Sequence, residues 1–265
     1  MPLSVATWNI NSVRIRLDLI RRFVEEAAPD ILCLQETKVD DPLFPRQAFE
    51  EMGFPHMAIA GQKAYHGVAT LSRIPLETAE RRDWCGKGDA RHVSVTLPGD
   101  ITLHNFYVPA GGDIPDREEN EKFGHKLDFV DEMTERFRGA GSGRTILVGD
   151  LNIAPLECDV WSHRQLLKVV SHTPIEVEKL TACREAAPFI DVARKLAPPP
   201  EPIFTWWSYR AADWRAGNRG RRLDHIWVTP PLEPAILSNR VFETYRDGQG
   251  TSDHVPVMAE FDVAV

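Results

Sequence analysis

Residues 250–263 read GTSDHVPVMAEFDV, a polar segment that leads into an alternating apolar one. From residue 255 to residue 263 every second side chain is apolar, which is the period of a half-buried β-strand. Asp253 and His254 lie side by side at the start of this predicted strand. By themselves, an Asp and a His beside a loop are more often solvated than catalytic, because short motifs recur by chance. Whether these two act together depends on what the other strands carry at their ends.

Apolar runs of strand length recur along the chain and predict its fold class. They are LSVATW (3–8), DILCLQ (30–35), GVATLS (67–72), HVSVTL (92–97), ITLHNFYV (101–108), RTILVGD (144–150), RLDHIWVT (222–229) and VPVMAEFDV (255–263). Apolar residues at helical spacing lie between some of them, within residues 13–27 and 123–137. Strands outnumber helices, and two apolar sheet faces need each other, so we expect a mixed α/β sandwich with helices on the outside.

The size and composition of the chain are those of an ordinary globular protein. It has 265 residues, 43% of them hydrophobic and 26% charged, which allows a large core. No apolar run approaches the roughly 20 residues of a membrane helix, and MPLSVATWNI at the N-terminus does not resemble a secretory signal. We therefore expect a cytoplasmic protein with no membrane partner, folded as one domain over residues 1–265. The Pro-rich stretch APPPEP, residues 197–202, is expected to form a rigid surface loop rather than a linker.

The four cysteines of the chain predict neither a zinc site nor a disulfide framework. They lie far apart and form no C-x-x-C pair, at Cys33, Cys85, Cys158 and Cys183. Reduced, structural thiols are therefore expected.

The net charge of −8 would on average repel a polyanion such as DNA. The segment 209–222, YRAADWRAGNRGRR, is locally positive despite the negative net charge. It contains five arginines and a single acidic residue, with aromatic side chains and glycines between them. Guanidinium groups and aromatic rings on a flexible loop suit a phosphate backbone and exposed bases. A solvated charged loop is an equally good interpretation of this segment taken alone.

Polar residues suited to metal and phosphate chemistry follow the predicted strands across the whole chain. They occur in TWNIN, LQETK, NFYVP, GDLN, RLDH and SDH, as Asn9, Asn11, Glu36, Tyr107, Asp150, Asn152, Asp224, Asp253 and His254. Each motif alone has an ordinary structural explanation, such as a helix cap or a turn. Because strands of a sandwich bring their ends to a shared rim, we expect these residues to converge.

The chemistry of these side chains predicts a magnesium site. Mg²⁺ keeps several waters and binds through one or two carboxylates plus substrate phosphate, which suits Glu36 with the amide oxygen of Asn9. Asp253 and Asp150 extend the set of oxygen ligands, and Asp150 is also suited to take a proton from water.

The remaining residues of the set suit the stabilisation of a pentacoordinate phosphate. Phosphodiester hydrolysis is among the slowest uncatalysed reactions, so its acceleration has to be shared among several groups. Asn152, Tyr107 and a protonated His254 are hydrogen-bond donors for the developing charge. Either Asp224 or Asp253 would hold the imidazole in one tautomer.

These motifs together resemble the exonuclease III family of class II apurinic/apyrimidinic endonucleases, within the wider superfamily of Mg²⁺-dependent endonuclease, exonuclease and phosphatase domains. The resemblance runs nearly end to end, through WNINSVRIR, DILCLQETK, YHGVATLSR, NFYVPAGG, ILVGDLNIAP, FTWWSYR, NRGRRLDHIWV and TSDHVPV. It implies a four-layer αββα sandwich of two mixed β-sheets flanked by helices, with one active site at the end of the paired sheets.

The resemblance also implies roles for individual residues. The metal-site positions are Asn9, Glu36, Asp150, Asn152, Asp253 and His254. The catalytic positions are Tyr107, Asp150, Asn152, Asp224 and His254, with Asp253 as a partner of His254. The DNA-binding candidates are Trp206, Arg210, Asn218, Arg219 and Arg222, of which Trp206 matches an aromatic that lines the pocket for an extruded abasic sugar.

The activity implied is that of a DNA repair nuclease that uses one or two Mg²⁺ ions, with Mn²⁺ as an alternative. It would hydrolyse the phosphodiester 5′ to an abasic site to leave a 3′-hydroxyl, with 3′–5′ exonuclease and 3′-phosphodiesterase activity. Its partner would be double-stranded DNA with abasic sites or blocked 3′ ends. We expect a monomer that associates with the nucleoid when it acts on DNA. Two alternatives stay open: a phosphodiesterase or phosphatase acting on a small molecule or lipid headgroup, and a catalytically idle DNA-binding protein.

The sequence departs from the family pattern after GDLN and at Arg221. Arg221 stands where some relatives carry Trp beside the abasic pocket. His163 and His172 fall in the divergent segment after GDLN and are expected to be structural or solvent-facing.

Overall fold

The computed structural model describes residues 2–211 and 213–265. Its strands are β1 Leu3–Asn9, β2 Ile31–Gln35, β3 His56–Ala60, β4 Val68–Ser72, β5 Thr78–Glu80, β6 His92–Leu97, β7 Ile101–Tyr107, β8 Arg144–Asp150, β9 Ile190–Asp191, β10 Trp206–Trp207, β11 Gly220–Arg221, β12 Asp224–Val228, β13 Ile236–Val241 and β14 Val257–Phe261. Its α-helices are α1 Leu17–Ala27, α2 Arg46–Glu51, α3 Glu121–Phe137, α4 His163–Leu166, α5 Pro174–Ala186, α6 Val192–Leu196 and α7 Trp214–Gly217. Short 3₁₀ helices are Arg14–Arg16, Asp41–Leu43, Ala140–Ser142, Glu157–Asp159, Pro230–Ala235 and Glu243–Arg246.

The strands form two six-stranded mixed sheets and one small ribbon. The first sheet has the order β13-β14-β1-β2-β4-β3, and the second has the order β5-β6-β7-β8-β12-β9. The pairs β1/β2 and β7/β8 are parallel, whereas the other neighbours in each sheet are antiparallel. The ribbon pairs β10 with β11. The expected sandwich of two mixed sheets is therefore confirmed.

Three hydrophobic clusters account for the layers of the sandwich. The inner faces of both sheets share one core, in which Val5 of the first sheet and Val148 of the second are completely buried. Helix α1 covers the outer face of the first sheet through a cluster that includes Trp8. Helices α3 and α5 cover the outer face of the second sheet around Phe106 and Trp227. The central strands of each sheet thus bury both faces, and the order of layers is αββα.

All eight predicted strands are present, and the two predicted helical segments contain α1 and α3. The first turn of the segment 13–27 is a 3₁₀ helix, so α1 itself begins at Leu17. Helix α3 begins after Asn120, whose side chain accepts a hydrogen bond from the backbone N–H of Lys122 and caps the helix. Residues 197–202 form an irregular, largely exposed segment after α6, as expected for a surface loop.

Strands β3 and β13 and helix α5 were absent from the sequence prediction. Helix α5 has no strong apolar stripe, but its start carries a recognisable signal. Thr173 and Glu176 form a capping box around Pro174, in which each side chain bonds the backbone N–H of the other.

Two further expectations concern cysteines and membrane helices. The four cysteines are free thiols, with Cys33 and Cys183 buried. Within residues 2–211 and 213–265, the helices are all too short or too polar to span a bilayer.

Candidate active site

The two sheets end at a common rim, where they bring the predicted polar residues together. Asn9 ends β1, and Glu36 follows the parallel strand β2. Tyr107 and Asp150 end the parallel strands β7 and β8, in register with each other. Strand β12 begins at this rim because it runs antiparallel to β8, which places Asp224 directly opposite Asp150.

Asp150 lies at the centre of the cluster and is almost completely buried. Its Oδ2 accepts hydrogen bonds from the side-chain amides of Asn9 at 2.8 Å and Asn152 at 3.1 Å, and its Oδ1 accepts one from the backbone N–H of Asn152 at 2.9 Å. Burial raises the pKa of the Asp150 carboxyl to about 7, although the positive charge of His254 acts in the opposite direction. A carboxylate with such a pKa can gain and lose a proton near neutral pH.

His254 is held by Asp224, a residue 30 positions away in the sequence. Its Nδ1 lies 2.8 Å from Asp224 Oδ2, which also accepts a 2.6 Å hydrogen bond from the Thr205 hydroxyl. Burial alone would lower the pKa of His254, but the charges of Asp224 and Asp150 outweigh it and raise the pKa to about 10. The imidazole is therefore a cation at neutral pH, and its Nε2 lies 3.6 Å from Asp150 Oδ2.

Asp253 does not hold the imidazole of its neighbour, which corrects the expectation that it is a partner of His254. Its Oδ2 accepts a 2.9 Å hydrogen bond from the indole of Trp206, and its Oδ1 lies 3.3 Å from the amide nitrogen of Asn11. Both oxygens of Asp253 are thus engaged by residues other than His254. The choice between Asp224 and Asp253 is resolved in favour of Asp224.

Glu36 stands beside the central carboxylate and is ionised. Its Oε1 accepts a 2.9 Å hydrogen bond from Asn9, and its Oε2 lies 2.8 Å from the ammonium of Lys38. Burial would raise the pKa of the Glu36 carboxyl, but the charge of Lys38 and the hydrogen bonds from Asn9 and Lys38 more than offset it, so the pKa is lowered. The residue has a left-handed backbone conformation, with φ of 52°.

Tyr107 stays protonated and presents a donor to the same cluster. Its pKa lies well above the usual range because the phenol is buried and the negative charges of Glu36 and Asp150 are near. The guanidinium of Arg91 lies 5.0 Å from the centre of the ring and stacks on it.

Two groups of residues have the composition of a cation site. Asp150, Asp224 and His254 each offer one ligand atom, and these atoms lie within 4.8 Å of one another. The His254 cation and its hydrogen bond to Asp224 make this group a proton-sharing set rather than a magnesium shell, because Mg²⁺ prefers oxygen ligands. Glu36 and Asp150 form the second group and fit Mg²⁺ better, since both are carboxylates and Asn9 bridges them. Asn9 presents its amide nitrogen to both, and its amide oxygen accepts a 3.1 Å hydrogen bond from the backbone N–H of Asn11.

The cluster opens into a cavity of about 560 Å³ whose wall is rich in arginine and tryptophan. At the end next to Asp150, the cavity is lined by Glu36, Tyr107, Asn152, Asp253 and His254. The DNA-binding candidates in its wall are Trp206, Arg210 and Arg219. The guanidinium of Arg219 stacks on the ring of Trp161 at 4.8 Å. Asn218 lies outside this wall and accepts a hydrogen bond from the indole of Trp207 at 3.1 Å.

Arg222 cannot bind DNA, which corrects its assignment as a DNA-binding residue. Only 1% of it is exposed, and its guanidinium bonds both carboxylate oxygens of Asp159 and one of Asp191. Arg194 joins the same buried ion network through Asp159. Arg221 lines the cavity, and the next side chain along the strand points away from it into the interior.

Several residues that shape the site escaped the sequence prediction. Lys38 had a signal, since it follows Glu36 by two positions in QETK. Thr205, Arg91 and Lys126 had none, because their contacts come from distant parts of the chain. His163 and His172, expected to be structural or solvent-facing, bond each other through ring nitrogens 2.8 Å apart, and His172 also bonds the carbonyl of Ala154.

Known proteins of similar sequence share this architecture. The model of the Endonuclease/Exonuclease/phosphatase family matches residues 6–254. The chain is 29% identical to "Exodeoxyribonuclease III" of Haemophilus influenzae over 96% of this chain and 98% of that protein. It is 30% identical to "DNA repair nuclease APEX1" of Danio rerio over 96% of this chain and 81% of that protein.

Solved structures give the same result. An AP endonuclease from Archaeoglobus fulgidus superposes with a TM-score of 0.91 at 32% identity, covering 98% of this chain and all of that one. The 3′ phosphatase NExo from Neisseria, solved with a product DNA hairpin, superposes with a TM-score of 0.90 at 30% identity and the same coverage.

Proposed function

This chain belongs to the endonuclease/exonuclease/phosphatase family and is a phosphodiester hydrolase, and we propose that it is a Mg²⁺-dependent DNA repair nuclease. It hydrolyses the phosphodiester 5′ to an abasic site and leaves a 3′-hydroxyl, and it removes nucleotides or blocking groups from 3′ ends. Its substrate is double-stranded DNA. We further propose that residues 1–265 act as one domain, because both sheets contribute to a single core between them.

One observation carries this proposal: Asp150 belongs to a carboxylate pair suited to a cation and at the same time faces a protonated histidine. On one side, Asn9 bridges Asp150 and Glu36. On the other side, the His254 cation faces the same oxygen of Asp150 at 3.6 Å. A phosphate in the adjoining cavity would therefore meet positive charge and hydrogen-bond donors together with a carboxylate of suitable pKa.

The protein residues divide the chemistry between them. Asp150 accepts the proton of the attacking water, since its pKa of about 7 matches a general base. His254, Tyr107 and Asn152 donate hydrogen bonds to the phosphate oxygens as charge develops on them. Asp224 keeps the His254 imidazole oriented and protonated. Hydrolysis breaks the bond between phosphorus and the 3′ oxygen, which leaves as a hydroxyl.

Glu36, Asp150 and Asn9 are the residues that would hold Mg²⁺, and Mn²⁺ could occupy the same oxygen ligands. A cation there polarises the phosphoryl oxygens and neutralises part of their charge. His254 acts as a donor rather than a ligand, since the cationic ring has no free lone pair. Asp253 is tied to Trp206 and Asn11, so it lies in the wall of the cavity rather than between Glu36 and Asp150.

The cavity wall favours DNA over a small phosphodiester. Trp206 and Trp161 each stack with an arginine, Arg221 and Arg219, at 5.1 Å and 4.8 Å. Such rings and guanidinium groups accept an unstacked sugar or base together with its phosphates. The similarity to an AP endonuclease and to a DNA-bound 3′ phosphatase supports the same substrate class.

The proposal predicts Mg²⁺-dependent incision of a labelled duplex that carries one central abasic analogue. The duplex is incubated with the protein in Mg²⁺ or in EDTA, and the products are resolved on a denaturing gel. We expect a single incision 5′ to the analogue with a 3′ end that a polymerase extends, and no cleavage in EDTA. An uncut abasic strand with shortened 3′ ends would instead assign a 3′ exonuclease. Failure to cleave any DNA would contradict the proposal and favour a small phosphodiester substrate.

The pKa values of Asp150 and His254 predict a bell-shaped pH dependence of kcat/KM. Catalysis needs Asp150 ionised, so the rate rises as pH increases through about 7. It needs His254 protonated, so the rate falls as pH increases through about 10. Because the two groups face each other, each limb of the profile reports the titration of the Asp150–His254 pair rather than of a single residue. The charge of a bound cation moves the acid limb to lower pH. A profile that stays flat from pH 5 to pH 11 in initial-rate measurements would exclude this pair.

A further inference from the structure

Arg221 places a positive charge without an acidic partner in the wall of the active-site cavity. Its Nη1 donates to the carbonyl of Val170 at 2.9 Å and to the hydroxyl of Ser171 at 2.7 Å. Its Nε is shielded from solvent and has no acceptor within residues 2–211 and 213–265. The guanidinium lies 5.1 Å from the centre of the Trp206 ring, so one face of it is also covered.

The surrounding charges do not compensate Arg221. Burial lowers its pKa, and Glu176 is the acidic group that acts against this effect. Glu176 itself is completely buried and bonded to Lys126, so its charge is already neutralised. Arg222, the next residue, has the opposite environment, with two carboxylates around its guanidinium. Arg221 is half-buried with an unsatisfied Nε, and a cation partly removed from water is unfavourable unless it is paired, so a ligand in the cavity can supply the missing partner.

The backbone fixes Arg221 at a defined distance from the catalytic histidine. His254 forms a β-bridge with Trp206, and Trp206 pairs with Arg221 in the ribbon of β10 and β11. Two strand spacings, about 10 Å, therefore separate the backbones of His254 and Arg221. The side chains of all three residues line the same cavity. A group bonded to a phosphate beside His254 therefore faces the same cavity wall that Arg221 lines.

We propose that Arg221 forms an anion subsite for a carboxylate or phosphate carried by the group that stays on the scissile phosphate. The inference rests on the proposed function, in which the bond from phosphorus to the 3′ oxygen breaks. Water supplies the oxygen that joins phosphorus, one proton ends on the 3′ oxygen, and the acid-bearing group leaves as part of a phosphomonoester. Arg221 thereby selects substrates that carry a second negative charge. This charge belongs either to a short acid esterified at a 3′ end or to the next phosphate of the same strand.

Matched pairs of charged and neutral substrates test this subsite at fixed ionic strength with Mg²⁺. The first pair is a duplex whose recessed 3′ end carries a phosphoglycolate, against the same end with a neutral 2-hydroxyethyl phosphate ester. The second pair is an abasic-analogue duplex with a normal phosphate 3′ to the analogue, against one with a neutral methylphosphonate there. For each pair, the ratio of kcat/KM, charged over neutral, is measured for the parent, Arg221→Gln and Arg221→Lys.

We expect Arg221→Gln to lower the ratio about tenfold or more in at least one pair, as the loss of a charge-assisted hydrogen bond predicts. Arg221→Lys should retain part of the preference because it keeps the charge. Arg215→Gln is the matched control, since Arg215 belongs to the same loop but is paired with Asp247, and it should leave both ratios unchanged.

The two substrate pairs identify the source of the anion. A fall in the first pair assigns the carboxylate of a blocked 3′ end, and a fall in the second assigns the next phosphate. Unchanged ratios in both pairs, with the parent protein active, would overturn the subsite and leave Arg221 as a support for residues 170–171. A parent protein that cleaves none of the four substrates would instead contradict the proposed function itself. Because each ratio compares two substrates on one protein, partial unfolding of a variant does not change it.

Discussion

An Asp150→Asn variant is expected to lose about 10³- to 10⁴-fold in kcat, the upper range for loss of a general base. Asparagine has the shape of the carboxylate but cannot take a proton from water, and it brings no negative charge to a cation. Both consequences act on the transition state, so KM should change far less than kcat. Single-turnover rates on the abasic duplex measure the chemical step, and thermal unfolding of the same sample shows whether the fold is intact.

The same substitution at an exposed aspartate provides the control. Asp128 lies on α3 far in sequence from the rim residues and pairs with Arg117 at the surface, so Asp128→Asn should keep kcat within about twofold. The acid limb of the pH profile is a second readout, since it should disappear with Asp150. If Asp150→Asn retained more than a tenth of the parental kcat, another group would have to be the base, and Tyr107 and His254 would be the next to test.

The sequence predicted the frame of the fold because the central strands bury both faces. β1, β2, β4 and β8 are rich in apolar residues, and each is buried along nearly its whole length. β13 is harder to recognise, since it lies at the edge of its sheet and half of its residues are polar. α5 packs on α3 without a strong apolar stripe, so its capping box at Thr173 is the feature of the sequence that indicates this helix.

The convergence of the site was also predictable, whereas the pairing within it was not. Polar residues at successive strand ends had to meet once the strands formed one sandwich. Which aspartate holds His254 depends on the side to which each side chain points, and Asp224 reaches it from β12 while Asp253 turns away. The same alternation puts Arg221 in the cavity and Arg222 in the interior. Counting charges in a loop cannot distinguish these two arginines, because their environments come from residues 31 to 63 positions away.

Lys126 and Glu176 form a buried ion pair directly behind Asn152, and neither residue has a signal in the sequence for this role. Both are completely buried, and the Lys126 ammonium donates to Glu176 Oε1 at 2.5 Å and to the backbone carbonyl of Asn152 at 2.7 Å. Glu176 also accepts hydrogen bonds from the backbone N–H groups of Thr173 and of Ser171, which lines the cavity. Asn152 has a left-handed φ of 53°, a conformation that costs free energy unless the surroundings hold it.

A Lys126→Met variant is expected to lose about 3 to 5 kcal/mol in the free energy of unfolding, because it leaves the Glu176 carboxylate buried without its counter-charge. The double variant Lys126→Met with Glu176→Gln removes both charges and should recover most of that loss. In both variants Asn152 loses the hydrogen bond that fixes its backbone, so kcat should remain about 10- to 100-fold low. Urea unfolding and single-turnover rates on the abasic duplex measure the two quantities on the same preparations.

Comparison of the single variants with the double variant separates a structural role of the Lys126–Glu176 pair from a positioning role. If the pair only stabilised the fold, kcat would return together with stability in the double variant. If Lys126 positions Asn152, stability returns and kcat does not, since a neutral Met–Gln pair fills the space but donates nothing to the Asn152 carbonyl. Glu176→Gln alone completes the cycle: it keeps the Lys126 bond to that carbonyl, so it should lose stability while kcat stays within a few fold of the parent. Both single variants thus lose stability, but only Lys126→Met loses kcat, a difference that burial alone cannot produce.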